Sequence, residues 1–167
     1  LTEQADILDY SISQDGLLIY FSAGNTNAGA DLYRLDLIKA AQNTGALTQP
    51  ELILACEQVA CRSPKASPNG IWLAYERIAP GGADSAQIWL LDLATDEPSQ
   101  LGEAGHVTEN PAWSSENLLV YYDKQQAGYV MINLKTGQHF LAPNSTGDQG
   151  VWSPDGSVFN APEITYV

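Results

Sequence analysis

The chain has 167 residues, 44% of them hydrophobic, which is enough for a folded domain with a sizeable core. Twenty acidic residues against seven basic ones give a formal net charge of −13, so nucleic acid and anionic lipid are excluded as partners by repulsion. No apolar run approaches the about 18 residues of a membrane span, and the longest, such as Leu17–Phe21, are strand-sized, so no direct membrane insertion by this segment is expected.

In chain order, Leu1-Thr2 reads as the end of a strand that belongs to a preceding unit. The segment Tyr10-Ser11-Ile12-Ser13-Gln14-Asp15-Gly16 reads as a turn, and the strand formers Leu17 to Phe21 follow it. Leu32 to Leu37 is a second strand, ending Asp36-Leu37. The stretch from Ile38 to Thr48 is surplus and is predicted to make a helical turn through Lys39-Ala40-Ala41-Gln42. Cys56 and Cys61 then lie at a spacing that a disulfide closes if the loop turns back on itself; the alternative is two unpaired thiols near a strand end. A disulfide implies an oxidising compartment.

The same order recurs downstream. Pro64 to Gly70, Pro111 to Asn117 and Gly150 to Gly156 match the first turn position by position, and the strands Ile71–Tyr75, Leu118–Tyr122 and Val158-Phe159 follow them. Ile88 to Leu93 and Tyr129 to Leu134 repeat the second strand, each ending in Asp or Asn and Leu, with turns at Ala94-Thr95-Asp96 and Lys135-Thr136-Gly137. A last short strand closes the unit at Gln100-Leu101 or His139–Leu141. The register serines Ser13, Ser67, Ser114 and Ser153 are 54, 47 and 39 residues apart, so the shortest interval sets the unit and the rest is loop insertion. The expected repeats are approximately 10–63, 64–110, 111–149 and a partial one at 150–167, together a single segment over 1–167. Four short strands in about 40 residues define all-β propeller blades of four antiparallel strands, here three full repeats plus parts of flanking ones.

The turn residues have a physical role of their own. Pro68 and Pro154 fix φ; Asp15, Asn69 and Asp155 cap the corner with side-chain hydrogen bonds; Gly16, Gly70 and Gly156 accept positive φ. Ser114-Ser115-Glu116-Asn117 keeps neither Pro nor Gly, so this corner departs from the others. Trp113 and Trp152, with Ile12 and Ala66 at the same position, are expected to fill the space between neighbouring blades.

These residues resemble the WD40-like repeat of the TolB-like six-bladed propellers, whose usual form is Pro-x-Trp-Ser-Pro-Asp-Gly, a strand, an Ile-Trp-x-x-Asp-Leu strand and a Thr-Gly turn. Pro111-Ala112-Trp113-Ser114, Ile88-Trp89 with Asp92-Leu93, and Val151 to Gly156 carry the resemblance most closely. It implies a propeller of which 167 residues supply an incomplete ring, since six blades need about 250 residues at this period. The chain is therefore expected to be a fragment of a larger protein. Open blade edges and an apolar blade face would favour self-association.

Catalytic signals are missing from the sequence. There is no Gly-x-Ser-x-Gly elbow, His-Glu-x-x-His, Cys-x-x-Cys or phosphate-binding loop. No catalytic, cofactor-binding or metal-ligating residue is assigned, and the two histidines, His106 and His139, read as ordinary polar residues. A cation at a loop mouth would need Asp31, Asp84, Glu103 and Glu109 to converge, with solvated loop charge as the plainer reading. Trp72, Trp89, Trp113 and Trp152 read as blade packing rather than a carbohydrate platform, Trp72 being the most open. Asn144-Ser145-Thr146 fits a glycosylation acceptor pattern. The expected function is a non-catalytic, extracytoplasmic binding or sensing scaffold for a protein, peptide or glycan, in the periplasm or at the cell surface. Two alternatives are an accessory propeller of a hydrolase whose catalytic domain lies elsewhere, and a structural module for self-assembly or display.

Overall fold

The structure, a computed structural model, describes residues 6–42, 49–162 and 164–166. Leu1-Thr2 and the second half of the expected insertion lie outside the described residues.

The first blade consists of β1 (Ile7–Ile12), β2 (Leu18–Gly24), β3 (Ala30–Asp36) and β4 (Glu51–Leu54). The second contains β5 (Ala60–Ala66), β6 (Trp72–Ile78), β7 (Ala86–Asp92) and β8 (Pro98–Gln100). The third contains β9 (Thr108–Trp113), β10 (Leu118–Asp123), β11 (Gly128–Asn133) and β12 (His139–Pro143). A three-stranded sheet follows, from β13 (Val151–Trp152), β14 (Phe159–Ala161) and β15 (Ile164–Tyr166). Within each blade, sequential strands pair antiparallel. A single parallel pairing of Ala30 with Ala60 ties the first two blades together at one edge. The helical turn is present as α1 (Leu37–Gln42).

Two recurrent side-chain devices shape every blade. At the end of the third strand, Asp36 Oδ1 accepts the amides of Ile38 and Lys39, Asp92 Oδ1 those of Ala94 and Thr95, and Asn133 Oδ1 those of Lys135 and Thr136. Each is an Asx turn that ends the strand, which is why the apolar, Asp/Asn, Leu pattern recurs. Between the first and second strands, the serine hydroxyl accepts the amide that opens the second strand: Leu18 on Ser13 at 2.9 Å, Trp72 on Ser67 at 2.9 Å, Leu118 on Ser114 at 3.0 Å and Val158 on Ser153 at 3.0 Å. The corner that lacks Pro and Gly forms as the others do. Asn117 takes the glycine's place at φ 63° and, through Oδ1, accepts the Asn69 amide of the previous blade at 3.0 Å.

The core lies between blades rather than within them. Along β10, Leu119 and Tyr121 pack toward the second blade, while Val120 and Tyr122 pack toward the β13–β15 sheet. Successive side chains leave opposite faces of a strand. A strand sandwiched on both sides therefore reads as one apolar run. The first inter-blade layer joins Tyr20, Leu32, Leu73, Tyr75 and Leu91 with the Cys56–Cys61 pair. Burying each leucine there stabilises by about 2 kcal/mol.

One packing expectation is corrected. Ile12 does not fill an inter-blade space: it is 53% exposed, because no blade flanks the outer side of the first one among the described residues. Nor is that outer face bare. Phe21 and Ala23 are buried under Ile19, Tyr33 and Leu37, with Phe21 and Tyr33 stacked at 5.4 Å, so apolar exposure is confined to margins such as Tyr10 and Leu52.

Candidate functional site

The first strand of each blade lies innermost, and these strands bend around a shared hollow of about 390 Å³. Ser11 and Ile12 of β1, Lys65 and Ala66 of β5, Pro111 to Trp113 of β9, and Val151 and Trp152 of β13 line it, with Gln14, Pro68, Gln149 and Gly150 at its ends. Its lining is mixed, with apolar atoms supplying somewhat more than half of the surface and Ser11, Gln14, Gln149 and Lys65 among the polar residues. No carboxylate lines it.

Two bulges aim these strands. Ser63 and Asn110 each precede a proline and take positive φ, 51° and 59°, and the pairing of β5 with β6 and of β9 with β10 slips at those points. Carboxylates hold the bulges across blades. Asp9 Oδ2 pairs with Arg62 Nε at 3.2 Å and accepts the Ser63 amide. Glu76 Oε1 accepts the Asn110 amide at 2.8 Å, and its Oε2 accepts the Ser63 hydroxyl at 3.1 Å. Trp113 adds a third inter-blade bond, its indole Nε1 donating to the Lys65 carbonyl at 2.9 Å. Trp152, at the same repeat position, has its Nε1 buried with no partner among the described residues. The bulge contacts of Glu76 and Asn110 went unread in the sequence. The recurring Xaa-Pro at Ser63-Pro64 and Asn110-Pro111 was the available signal.

The turn serines and acids sit at the blade corners, where three of the serines bond the acid or amide side chain two residues on. Ser13 donates to Asp15 at 2.6 Å, Ser67 to Asn69 at 2.8 Å and Ser153 to Asp155 at 2.6 Å. Hydrogen bonds from Ser153, then from Ser157, hold the Asp155 carboxyl down at about 2; Ser13 and the Leu17 amide lower Asp15 in the same way. Gly16, Gly70 and Gly156 adopt φ of 73°, 70° and 71°. His106 has a carboxylate at each ring nitrogen rather than a serine hydroxyl.

The acidic residues considered as cation ligands do not gather. Asp31 Oδ1 accepts Asn25 Nδ2 and the Cys56 amide, both at 2.8 Å; Asp84 and Glu109 flank Lys124 Nζ at 3.6 and 3.2 Å; Glu103 faces His106. A lysine thus stands between the two that do meet, and no cluster of three metal-ligating groups occurs among the described residues. The four tryptophans all pack against inter-blade clusters, Trp72 included. Asn144 is 3% exposed, with its amide donating to the Pro162 carbonyl and accepting the Thr146 and Gly147 amides. It is a loop cap and is not presented as a glycosylation acceptor. Cys56 and Cys61 form a disulfide, with Cα atoms 6.1 Å apart, that closes the loop between β4 and β5. No helix among the described residues is long and apolar enough to cross a membrane.

Stacked four-stranded sheets with their first strands around a common hollow define an open arc of a β-propeller. No protein-family model and no curated protein sequence matches the chain. Solved structures do. TolB from Acinetobacter baumannii superimposes with a TM-score of 0.62 at 20% identity over 90% of this chain, and a TolB of Agrobacterium tumefaciens, described as putative, with 0.64 at 17% over 93%. A puromycin hydrolase gives 0.66 at 15% over 92%. The chain spans 36%, 57% and 24% of the lengths of these three proteins. Its fold is that of the TolB-like propellers.

Proposed function

We propose that the chain is a non-catalytic binding segment of an extracytoplasmic propeller, and that the hollow between its innermost strands receives a protein or peptide segment. The observation that carries this reading is the lining of the hollow. Trp113, Trp152, Val151 and Ile12 present apolar and aromatic surface at a place where rigid strands, not mobile loops, fix their positions. Ile12 and Val151 stand at the two open ends of the arc, 53% and 59% exposed, and both also line the hollow. The likeness to hydrolases extends to the fold alone. The Cys56–Cys61 disulfide supports a location outside the reducing cytoplasm.

Selection from a random peptide library, repeated against a variant with Ile12→Asp and Val151→Asp together, tests the reading. Both residues are exposed, so the variant is expected to fold. Peptides that bind the parent protein and not the variant support the hollow as the site. Peptides that bind both equally place recognition elsewhere and overturn it.

A further inference from the structure

The one charged side chain that lines the hollow, Lys65, is opposite in sign to the chain's net charge of −13. Four of the seven basic side chains pair with carboxylates: Arg34 with Glu51, Lys39 with Asp36, Arg62 with Asp9, and Lys124 with Asp84 and Glu109. Arg77 lies over the Trp89 ring at 4.7 Å. Lys65 is half-buried in the lining of the hollow and has no ion pair among the described residues.

Acids outnumber bases 20 to 7, yet none lines the hollow. Of the carboxylates on the neighbouring strands and corners, Asp9 and Glu109 are paired with Arg62 and Lys124, while Glu76, Asp15 and Asp155 are held by hydrogen bonds and keep their charge. Charge is screened over about 8 Å at physiological salt, so distant acidic residues weigh less on a bound group than the lysine in the lining itself.

We propose that the hollow is a receptor for the free C-terminus of a peptide that ends in an apolar residue. The terminal carboxylate lies against Lys65 Nζ, and the last side chain packs on Trp113, Trp152, Val151 and Ile12. A chain end meets both demands with one residue, because carboxylate and side chain leave the same Cα. An internal Asp or Glu would need a second residue to supply the apolar group. The volume of about 390 Å³ falls in the lower part of the range of ligand sites, roughly 300–1,000 Å³. The inference rests on the reading of the hollow as a binding site.

The test is titration of the intact protein, followed by tryptophan emission, with three peptides: acetyl-Ala-Ala-Phe-Leu as the free acid, the same peptide as its C-terminal amide, and an amidated peptide with an internal aspartate. The free acid is expected to bind roughly two- to fivefold tighter than either amide, the difference that one partly exposed ion pair supplies. Lys65→Gln should remove that advantage, and Lys135→Gln, on a surface turn, should keep it. Equal binding of acid and amide, or an advantage that survives Lys65→Gln, overturns the carboxylate assignment. If binding is equal but is lost with Ile12→Asp, the hollow remains the site and only its selectivity is wrong. If none of the three binds while peptides from the library selection bind and are lost with Ile12→Asp and Val151→Asp, the chain-end assignment fails and the hollow remains the site.

Discussion

His106 and Asp123 join two connections of the arc: His106 Nδ1 lies 2.8 Å from Asp123 Oδ2, the ring on the β8–β9 connection and the carboxylate at the end of β10. Glu103 stands 3.3 Å from the other ring nitrogen. Asp123 is fully buried and also accepts the backbone amide and the side-chain amide of Gln126. The contact therefore clamps the crossover between the second and third blades to the β10–β11 hairpin.

Asp123, first by hydrogen bonding and then by its charge, raises the His106 pKa above its ordinary 6.5; Glu103 adds to the effect. A raised folded-state value contributes stability that is fully present below 6.5 and is lost as the pH rises through the folded value. Burial pushes the Asp123 carboxyl up, but His106 and Gln126 outweigh it and the net shift is downward from 3.8, so its contribution is lost as the pH falls through the lowered value. Melting temperatures of the parent and of His106→Gln should accordingly differ most between about pH 4 and 6.5 and converge at higher pH. A constant difference from pH 5 to 9 would show that the imidazolium form adds nothing.

Glu76→Ala should lower stability by about 2 kcal/mol, because it leaves the Asn110 amide without its acceptor between two blades. Glu76→Gln keeps an acceptor oxygen and should cost less. Urea unfolding measures both, and an unchanged slope confirms that stability alone has moved.

Replacing Cys56 and Cys61 together with serine should cost about 2 kcal/mol by loop-closure entropy for so short a loop. Cys61 is wholly buried and Cys56 nearly so, so the thiols are titrated in denaturant without a reductant, where the bond predicts no reactive thiol. Two reactive thiols in that state would refute the bond and the oxidising compartment with it.

Gly16 and Gly156 share a corner geometry and differ in their surroundings. A Cβ at Gly16 meets nothing within 4 Å, while one at Gly156 would press on the backbone nitrogen of Ser115 and come within 2.7 Å of its Cβ. Gly16→Ala should cost about 1 kcal/mol for the left-handed conformation alone. Gly156→Ala should cost clearly more, and hydrogen exchange should show the excess as faster opening of β13 and β14 than in Gly16→Ala. Equal costs would mean that the Ser115 contact carries no energy.

The fold was legible because its signals are local. The serine clamps at Ser13, Ser67, Ser114 and Ser153 and the Asx turns at Asp36, Asp92 and Asn133 act within five residues of themselves, so they leave a repeating trace in the sequence. Blade faces were legible as apolar runs for the same reason. The hollow was not, since it is made by curvature that brings Ile12, Lys65, Trp113 and Val151 together from four repeats. Lys65 carries no pattern of its own, and Glu76 reaches Asn110 across 34 residues. Gly150 stands at the repeat position of Pro64 and Pro111, and a Cβ there would drive into the Phe159 ring, which occupies the space. Ile12 was misplaced because a repeat position implies a neighbour, and the first blade has none on its outer side among the described residues.

The indole protons report most directly on whether the hollow is the binding site. In a ¹⁵N-labelled sample titrated with a peptide from the selection, the indole signals of Trp113 and Trp152 should shift together with amides of β5, β9 and β13, while those of Trp72 and Trp89 stay in place. Shifts confined to Trp72, Trp89 or the loop closed by Cys56 and Cys61, with Trp113 and Trp152 unmoved, would contradict the account.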